Sequence, residues 1–512
     1  MTTPSLASRL IRDTGHAASG RLASIAFWVL ATPPILRRLG AVEFALWAIF
    51  LAIAGYLTGL DLGLAQGTLR HVAASRATGD DRSAAAHVAL GLAGYLALGL
   101  AWVAILLLLA RPAMSWLQVP PALTVEARWA LLGGAAVFTV AGWCNVLMAA
   151  LQGLGRFDLA NRAMLAAIAS QGAGVWIVLR RGGGLPSLVL AVLAGWAIGV
   201  AVALLQMRRA EGGALLRNPF VRGVHVRDAV AFGVPMQAAT LFASAHQQLD
   251  KFLLARLVTL ATVTPFDLGF RAASALATLP QQLLLAVVPA AAQLPRDGDA
   301  SPLRRLYGEG QRYVMACTAV WLSAVAGAAP RLMRAWLGPG HDAASLVLGG
   351  LAVAWALALA TGMGTSIARG IGRTGLEARF AAVVLGVHVA ASLWLIPRAG
   401  LAGAIQATVL ANAIGAAFFI TLLSRALAWP AWSMLFAPLV APTLAAIAGF
   451  GVGRLVDRVL PAWTGISGWI GAATVSAAGA LTAAVLLVVL RVLRRSDLDR
   501  LGAAVRPLAE RS

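Results

Sequence analysis

Few residues in this chain can do chemistry, and most of them sit where hydrocarbon would make them costly. His246-Gln-Gln-Leu-Asp250-Lys251 closes one apolar segment, and Pro265-Phe-Asp267-Leu-Gly-Phe-Arg271 opens the next. On a helix, His246, Gln247, Asp250 and Lys251 share a sector of about 140°, which makes one polar stripe. Such a stripe is either a snorkelling end pair, Asp250 with Lys251, or the wall of a polar cavity. Asp267 and Arg271 stand four apart with the acid first, the favoured order for an ion pair. Arg271 could equally serve as a fixed cation for an anionic ligand. Pro280 frees a carbonyl near the middle of the same segment, and the amides of Gln281 and Gln282 could bond to it or to sugar hydroxyls. Asp61 lies about 200° round the helix from Gly59, opposite a close-packing stripe of Gly55, Gly59 and Gly63. It is a candidate for ion coupling or gating, as are Asp250 and Asp267.

These groups suit binding better than bond-making. No H-E-x-x-H, G-x-S-x-G or CxxC pattern is present. Lys251 is the only lysine, and no glycine precedes it at P-loop spacing, so any driving energy comes from a gradient, a membrane potential or another protein. Asp80-Asp81 and Asp297-Gly-Asp299 read as solvated loops without a matching ligand set, so no metal or other cofactor is expected. Cys144 and Cys317 read as small buried residues, while His388 and Asn412 read as satisfied helix-contact residues.

The elements that position these residues are membrane helices. The chain has 512 residues, of which 60% are hydrophobic and 12% charged, and its mean hydropathy is +0.81. Spans need about 20 apolar residues. Fourteen are expected, at about 21–37, 42–67, 84–110, 129–152, 159–179, 186–207, 229–253, 265–291, 311–329, 343–367, 377–396, 400–423, 433–454 and 465–490. The net charge of +21 comes almost wholly from arginine. Without a basic domain interleaved with aromatics, it speaks for anionic headgroups, not nucleic acid. About two-thirds of the basic residues fall on the side holding both termini, which the positive-inside rule places in the cytoplasm. No signal peptide is expected. The tail 491–512, with six arginines, reads as an amphipathic helix at the membrane surface.

The chain also repeats itself. Leu151-Gln-Gly-Leu-Gly-Arg-Phe-Asp-Leu-Ala-Asn-Arg162 returns as Ala368-Arg-Gly-Ile-Gly-Arg-Thr-Gly-Leu-Glu-Ala-Arg379. Arg111-x4-Trp116-Leu117 returns as Arg331-x4-Trp336-Leu337, and Arg38-Leu39 as Arg256-Leu257. The displacement stays between 217 and 220 positions. Two parallel six-helix lobes follow, with a pseudo-two-fold along the membrane normal, the signature of an alternating-access carrier. The expected organisation is a lobe over 1–207, a cytoplasmic linker over 208–228, a second lobe over 229–425, two extra helices over 426–490, and the tail. Glycine suits the tight turns of the repeated motif. Arg156, Arg162, Arg373 and Arg379 there can cap helices or grip phosphates.

Several stretches resemble the Wzx-like flippases, the polysaccharide-exporter branch of the multidrug/oligosaccharidyl-lipid/polysaccharide superfamily. They are Arg37-Arg-Leu-Gly-Ala-Val-Glu-Phe-Ala-Leu-Trp47, Leu60-Asp-Leu-Gly-Leu-Ala-Gln66, Leu69-Arg-His-Val-Ala73, Leu151-Gln-Gly-Leu-Gly-Arg156 and Leu249-Asp-Lys-Phe-Leu-Leu254. Phe44-Ala45 departs from the family's usual aromatic-glycine pair. The resemblance covers about residues 15–425. It implies an undecaprenyl-pyrophosphate-linked oligosaccharide moved between leaflets of the bacterial cytoplasmic membrane, with polysaccharide-assembly proteins as possible partners. Arg271 and Lys251 would then meet the pyrophosphate, and His246, Gln247 and Gln281 the sugar hydroxyls. The lipid tail would stay in the bilayer, and by analogy with lipid II flippases spans thirteen and fourteen would border a tail groove. Two alternatives stay open: a multidrug cation antiporter of the same fold, and a non-transporting scaffold for glycan-assembly enzymes.

Overall fold

A computed structural model describes residues 6–59, 63–210, 226–284, 287–292, 294, 301–430, 432, 437–461 and 465–493. The described residues are helical, with no strand among them. In chain order the helices are α1 (Leu6–Gly59), α2 (Leu64–Thr78), α3 (Asp81–Trp116), α4 (Thr124–Gly153), α5 (Phe157–Arg180), α6 (Leu185–Ala210) and α7 (Val226–Leu257), then α8 (Val263–Gln281), α9 (Val287–Ala292), α10 (Ser301–Leu337), α11 (Asp342–Gly370), α12 (Thr374–Leu427), α13 (Ala437–Val459) and α14 (Gly465–Val489).

All fourteen expected spans fall on these helices, though the boundaries differ. The first two spans share α1, which turns at Gly40 (φ 72°), and spans eleven and twelve share α12, which turns at Gly400 (φ 53°). Both breaks use a backbone conformation that glycine adopts without steric cost. The second span is expected to run to residue 67; the described part of α1 reaches Gly59, and Gly63 (φ 70°) breaks the helix before α2. Span eight divides into α8 and α9 after Pro280. α10 begins at Ser301, inside what reads as a loop from sequence. Among the described residues, ten helices are long and apolar enough to cross a membrane, two of them being the α1 and α12 segments. α8 falls short because Asp267 and Arg271 lower its hydropathy.

The chain divides into two compact units, 1–264 and 265–512. In the first, α4 lies at the centre, packed on α1, α2, α3, α5 and α6, while α7 packs on α1 and α2. The packing division therefore falls after α7, whereas the repeat boundary lies before it. In the second unit α10 is central, packed on α11, α13 and α14.

α13 and α14 lie outside the repeat, and two devices fasten them to α10. The first is small-residue packing. A methyl group placed on Gly449 would lie 2.5 Å from both the Gly479 carbonyl oxygen and Ser323 Oγ. Ser323 itself donates to the Ala319 and Ala446 carbonyls. Lipid tails are as apolar as leucine, so close backbone approach supplies the association energy. The second is Arg331. It is 6% exposed, and its Nε donates to Asp457 Oδ1 at 2.5 Å. Its other nitrogens donate to the carbonyls of Asp457, Leu460 and Pro461 at 2.7–2.9 Å. A guanidinium thus closes the negative end of α13. Its repeat counterpart, Arg111, is exposed.

Gly449→Leu is expected to cost about 1–3 kcal/mol through overpacking. Gly451→Leu, where nothing lies within 4 Å, should stay within about 0.5 kcal/mol. Thermal unfolding of the two variants in detergent checks the contrast.

Candidate functional site

The polar stripe on α7 is less uniform than its spacing suggests. Gln247 is exposed and His246 half-buried, whereas Asp250 is 2% and Lys251 3% exposed. Neither charge of the adjacent pair snorkels to an aqueous rim. Ions buried to this degree persist only with partners. Gln248, absent from the expected stripe, faces α1. A methyl group on Gly55 would stand 3.9 Å from its Nε2, and its buried Oε1 has no hydrogen-bond partner among the described residues. Asp61 lies outside the described residues, as do Asp297, Asp299 and the tail beyond Leu493.

On α8 the structure brings Asp267 and Arg271 together. Asp267 is fully buried, and Arg271 Nε donates to its Oδ2. The Arg271 side chain keeps 17% of its surface exposed. Its terminal Nη groups bond to nothing else among the described residues. The carboxylate therefore fixes the guanidinium through Nε and leaves its terminal donors open, which is the structural pair expected from the spacing. Five residues on, the carbonyl freed by Pro280 belongs to Leu276. The Trp321 indole N–H of α10 donates to it at 2.9 Å. This satisfies the kink without either glutamine, so Gln281, half-buried at the end of α8, is not needed for that purpose.

The repeated G-x-G-R turn is built identically in both copies. The Gly155 N–H donates to the Gln152 carbonyl and the Arg156 N–H to that of Leu151; Gly372 and Arg373 bond to Arg369 and Ala368 in the same way. This is a Schellman cap, with its second glycine left-handed (Gly155 φ 73°, Gly372 φ 79°). The first glycine serves a different need. A methyl group on Gly153 would lie 2.9 Å from the Leu69 carbonyl oxygen of α2, and one on Gly370 2.8 Å from that of Val288 of α9. The arginines bond locally: Arg156 with Asp158 at 3.2 Å, and Arg373 to the Ala426 carbonyl at the end of α12 at 2.6 Å. Arg162 and Arg379 are exposed.

Other polar residues close within the fold. His388 is fully buried, with Nε2 3.3 Å from Thr408 Oγ1, and the Asn412 amide donates to the Thr408 carbonyl. Asp80 is not simply solvated; its carboxylate accepts from the Ser83 N–H and caps α3.

Sequence reasoning missed two features. Arg180 lies over the Trp176 ring and Arg398 over the Trp394 ring, each 4.8 Å from the centroid. Both tryptophans are 59% exposed. The pairs stand 218 positions apart, so the repeat offset itself could have found them. The second is a cavity of about 1020 Å³ in the second unit, between α10, α11 and α13. α13 borders it and α14 contributes no lining residue. Among the described residues no cluster of His, Cys, Asp or Glu could hold a metal.

This arrangement defines a multi-pass helical membrane protein with charges held inside its spans. Solved structures share the fold. The lipid II flippase MurJ, in an inward closed conformation, aligns over 93% of this chain and 98% of its own at 13% identity and TM-score 0.68. An inward-facing multidrug resistance MATE family transporter of the MOP superfamily aligns over 80% and 94% at 15% identity and TM-score 0.64. A Vibrio cholerae MATE transporter mutant aligns over 83% and 97% at 16% identity and TM-score 0.51. The family described as "polysaccharide biosynthesis protein" matches residues 10–295, more than half of the chain. The chain belongs to that family. No curated protein matches it.

Gly155→Ala and Gly372→Ala should each cost about 1–2 kcal/mol, the strain of a left-handed side chain. Gly153→Ala and Gly370→Ala should cost more, because α2 or α9 must also shift. Melting temperatures of the four purified variants give the ranking.

Proposed function

We propose that the protein is an alternating-access flippase. It carries an undecaprenyl-pyrophosphate-linked oligosaccharide from the inner to the outer leaflet of the bacterial cytoplasmic membrane for polysaccharide biosynthesis. Both termini lie in the cytoplasm. The observation that carries this reading is Arg271, a partly accessible guanidinium fixed by a buried carboxylate on a helix within the membrane domain. A fork of N–H donors suits phosphate oxygens. Membership of a polysaccharide biosynthesis family supports the glycan, and a fold shared with a lipid II flippase supports a lipid-linked cargo. Lys251 adds a second cation for the pyrophosphate, and His246, Gln247 and Gln281 meet sugar hydroxyls. The polyprenyl chain stays in the bilayer.

Charge supplies a driving force. Outward movement of an anion is downhill by about 2.3 kcal/mol per charge per 100 mV of inside-negative potential. Asp61 or Asp250 provides any antiport of a proton or sodium ion. A multidrug cation exporter would instead present acids to its cargo, yet here the α8 acid is spent on its own arginine.

Arg271→Ala should abolish surface polysaccharide and leave completed lipid-linked repeat units on the cytoplasmic leaflet, with protein level unchanged. Continued export by this variant would favour a scaffold. Unchanged lipid-linked pools together with new sensitivity to cationic drugs, in cells lacking the protein, would favour drug export.

A further inference from the structure

The cavity between α10, α11 and α13 has a form the proposed transport cycle does not use. Its lining on α10 runs from Met315 to Arg334 and on α11 from Asp342 to Ala360. At 1.5 Å per residue the two walls are about 27–29 Å long. The hydrocarbon core of a bilayer is about 30 Å thick. The cavity is therefore a groove about as long as the hydrocarbon core is thick. Its apolar walls open to the surroundings: Leu346 is 56%, Ile447 61% and Phe450 42% exposed.

Charge is confined to one end, where α10 finishes and α11 starts. Arg334, Asp342, Arg454 and Asp457 line the groove there. Two of these are committed. Asp457 takes Arg331 at 2.5 Å and Arg454 at 3.0 Å. Arg334 and Asp342 are not. Neither side chain makes an ion pair or hydrogen bond among the described residues, and they do not pair with each other, although both line the same end of one groove. A free cation and a free anion, left apart above a membrane-length apolar wall, match a headgroup carrying both charges.

We propose that this groove holds one aminophospholipid, with its phosphate on Arg334, its primary ammonium on Asp342, and an acyl chain along Leu346, Val353, Ile447 and Phe450. One open guanidinium suits one phosphodiester; a pyrophosphate calls for more cations than the mouth leaves unpaired. The carboxylate selects for a headgroup amine with N–H donors. This lipid is a resident ligand, not the transported cargo, and the assignment stands independently of the flippase reading.

The test counts lipids retained on the purified full-length protein by native mass spectrometry. The protein is first stripped of lipid, then offered equimolar phosphatidylethanolamine, phosphatidylglycerol and phosphatidylcholine. The wild type should keep phosphatidylethanolamine preferentially. Arg334→Gln should weaken its retention by about tenfold, the value of one hydrogen bond to a charged group. Asp342→Asn should erase the preference over phosphatidylglycerol while retaining phosphatidylglycerol itself. Val353→Trp, which fills the groove, should lower retention of all three. Unchanged melting temperatures separate these effects from misfolding. Equal retention of the three lipids by wild type, or no change in either charge variant, would overturn the assignment. So would displacement of phosphatidylethanolamine by equimolar polyprenyl phosphate, which would hand the groove to the cargo's chain.

Discussion

Hydrocarbon offers no hydrogen bonds, so every polar group in a membrane span must find its partner within the protein. Much of the structure follows from that constraint. Serine and threonine hydroxyls fold back onto carbonyls of the preceding turn, as Thr68, Thr139, Thr318 and Thr408 do. Breaks in helices are closed by side chains from elsewhere: Trp321 closes the gap at Pro280, and Arg331 closes the end of α13. Charges come with counter-charges on the same helix, as with Asp267 and Arg271. The residues that escape this bookkeeping are few, and for that reason they are informative.

How much of this could be read in the sequence depends on how far apart the partners are. The spans were legible because apolar length is a local property. The glycine turns were legible because a repeat displays its own pattern twice. The Asp267–Arg271 pair was legible from its four-residue spacing. The Arg331 latch was not, since its partners lie 126 or more positions away. The groove was not, because its third wall, α13, lies far along the chain from the consecutive pair α10 and α11. Trp321 as the donor to Leu276 was equally invisible; sequence revealed the open carbonyl, while its occupant came from another helix. The breaks at Gly40 and Gly400 also differ from simple loops, because a single left-handed glycine redirects the chain while the helical bonding on each side continues.

The two copies show how one ancestral pattern serves different ends. The Schellman turns kept both geometry and bonding. The exposed tryptophan–arginine pairs kept their geometry at what the repeat makes equivalent positions, where amphipathic rings favour the membrane–water boundary. Arg111 and Arg331 diverged. One remained at the surface, and the other was recruited to hold helices that the repeat never contained. Small residues made the recruitment possible, because Ser323 and Gly449 let α13 approach α10 closely enough for a side chain to reach the end of α13.

The hydrogen-bond gap left by Pro280 makes α8 resemble a crank. Its pin is the Leu276 carbonyl, seated in the Trp321 indole of α10, and its handle is the segment bearing Arg271. Because the backbone bond that Pro280 cannot make is replaced by one from a neighbour, the angle of the helix is no longer a private matter of its own sequence. The anchored carbonyl lies five residues from Arg271, so a bond from α10 fixes α8 close to its open cation. The stretch of α8 that carries Arg271 is thereby held in part by a side chain from another helix.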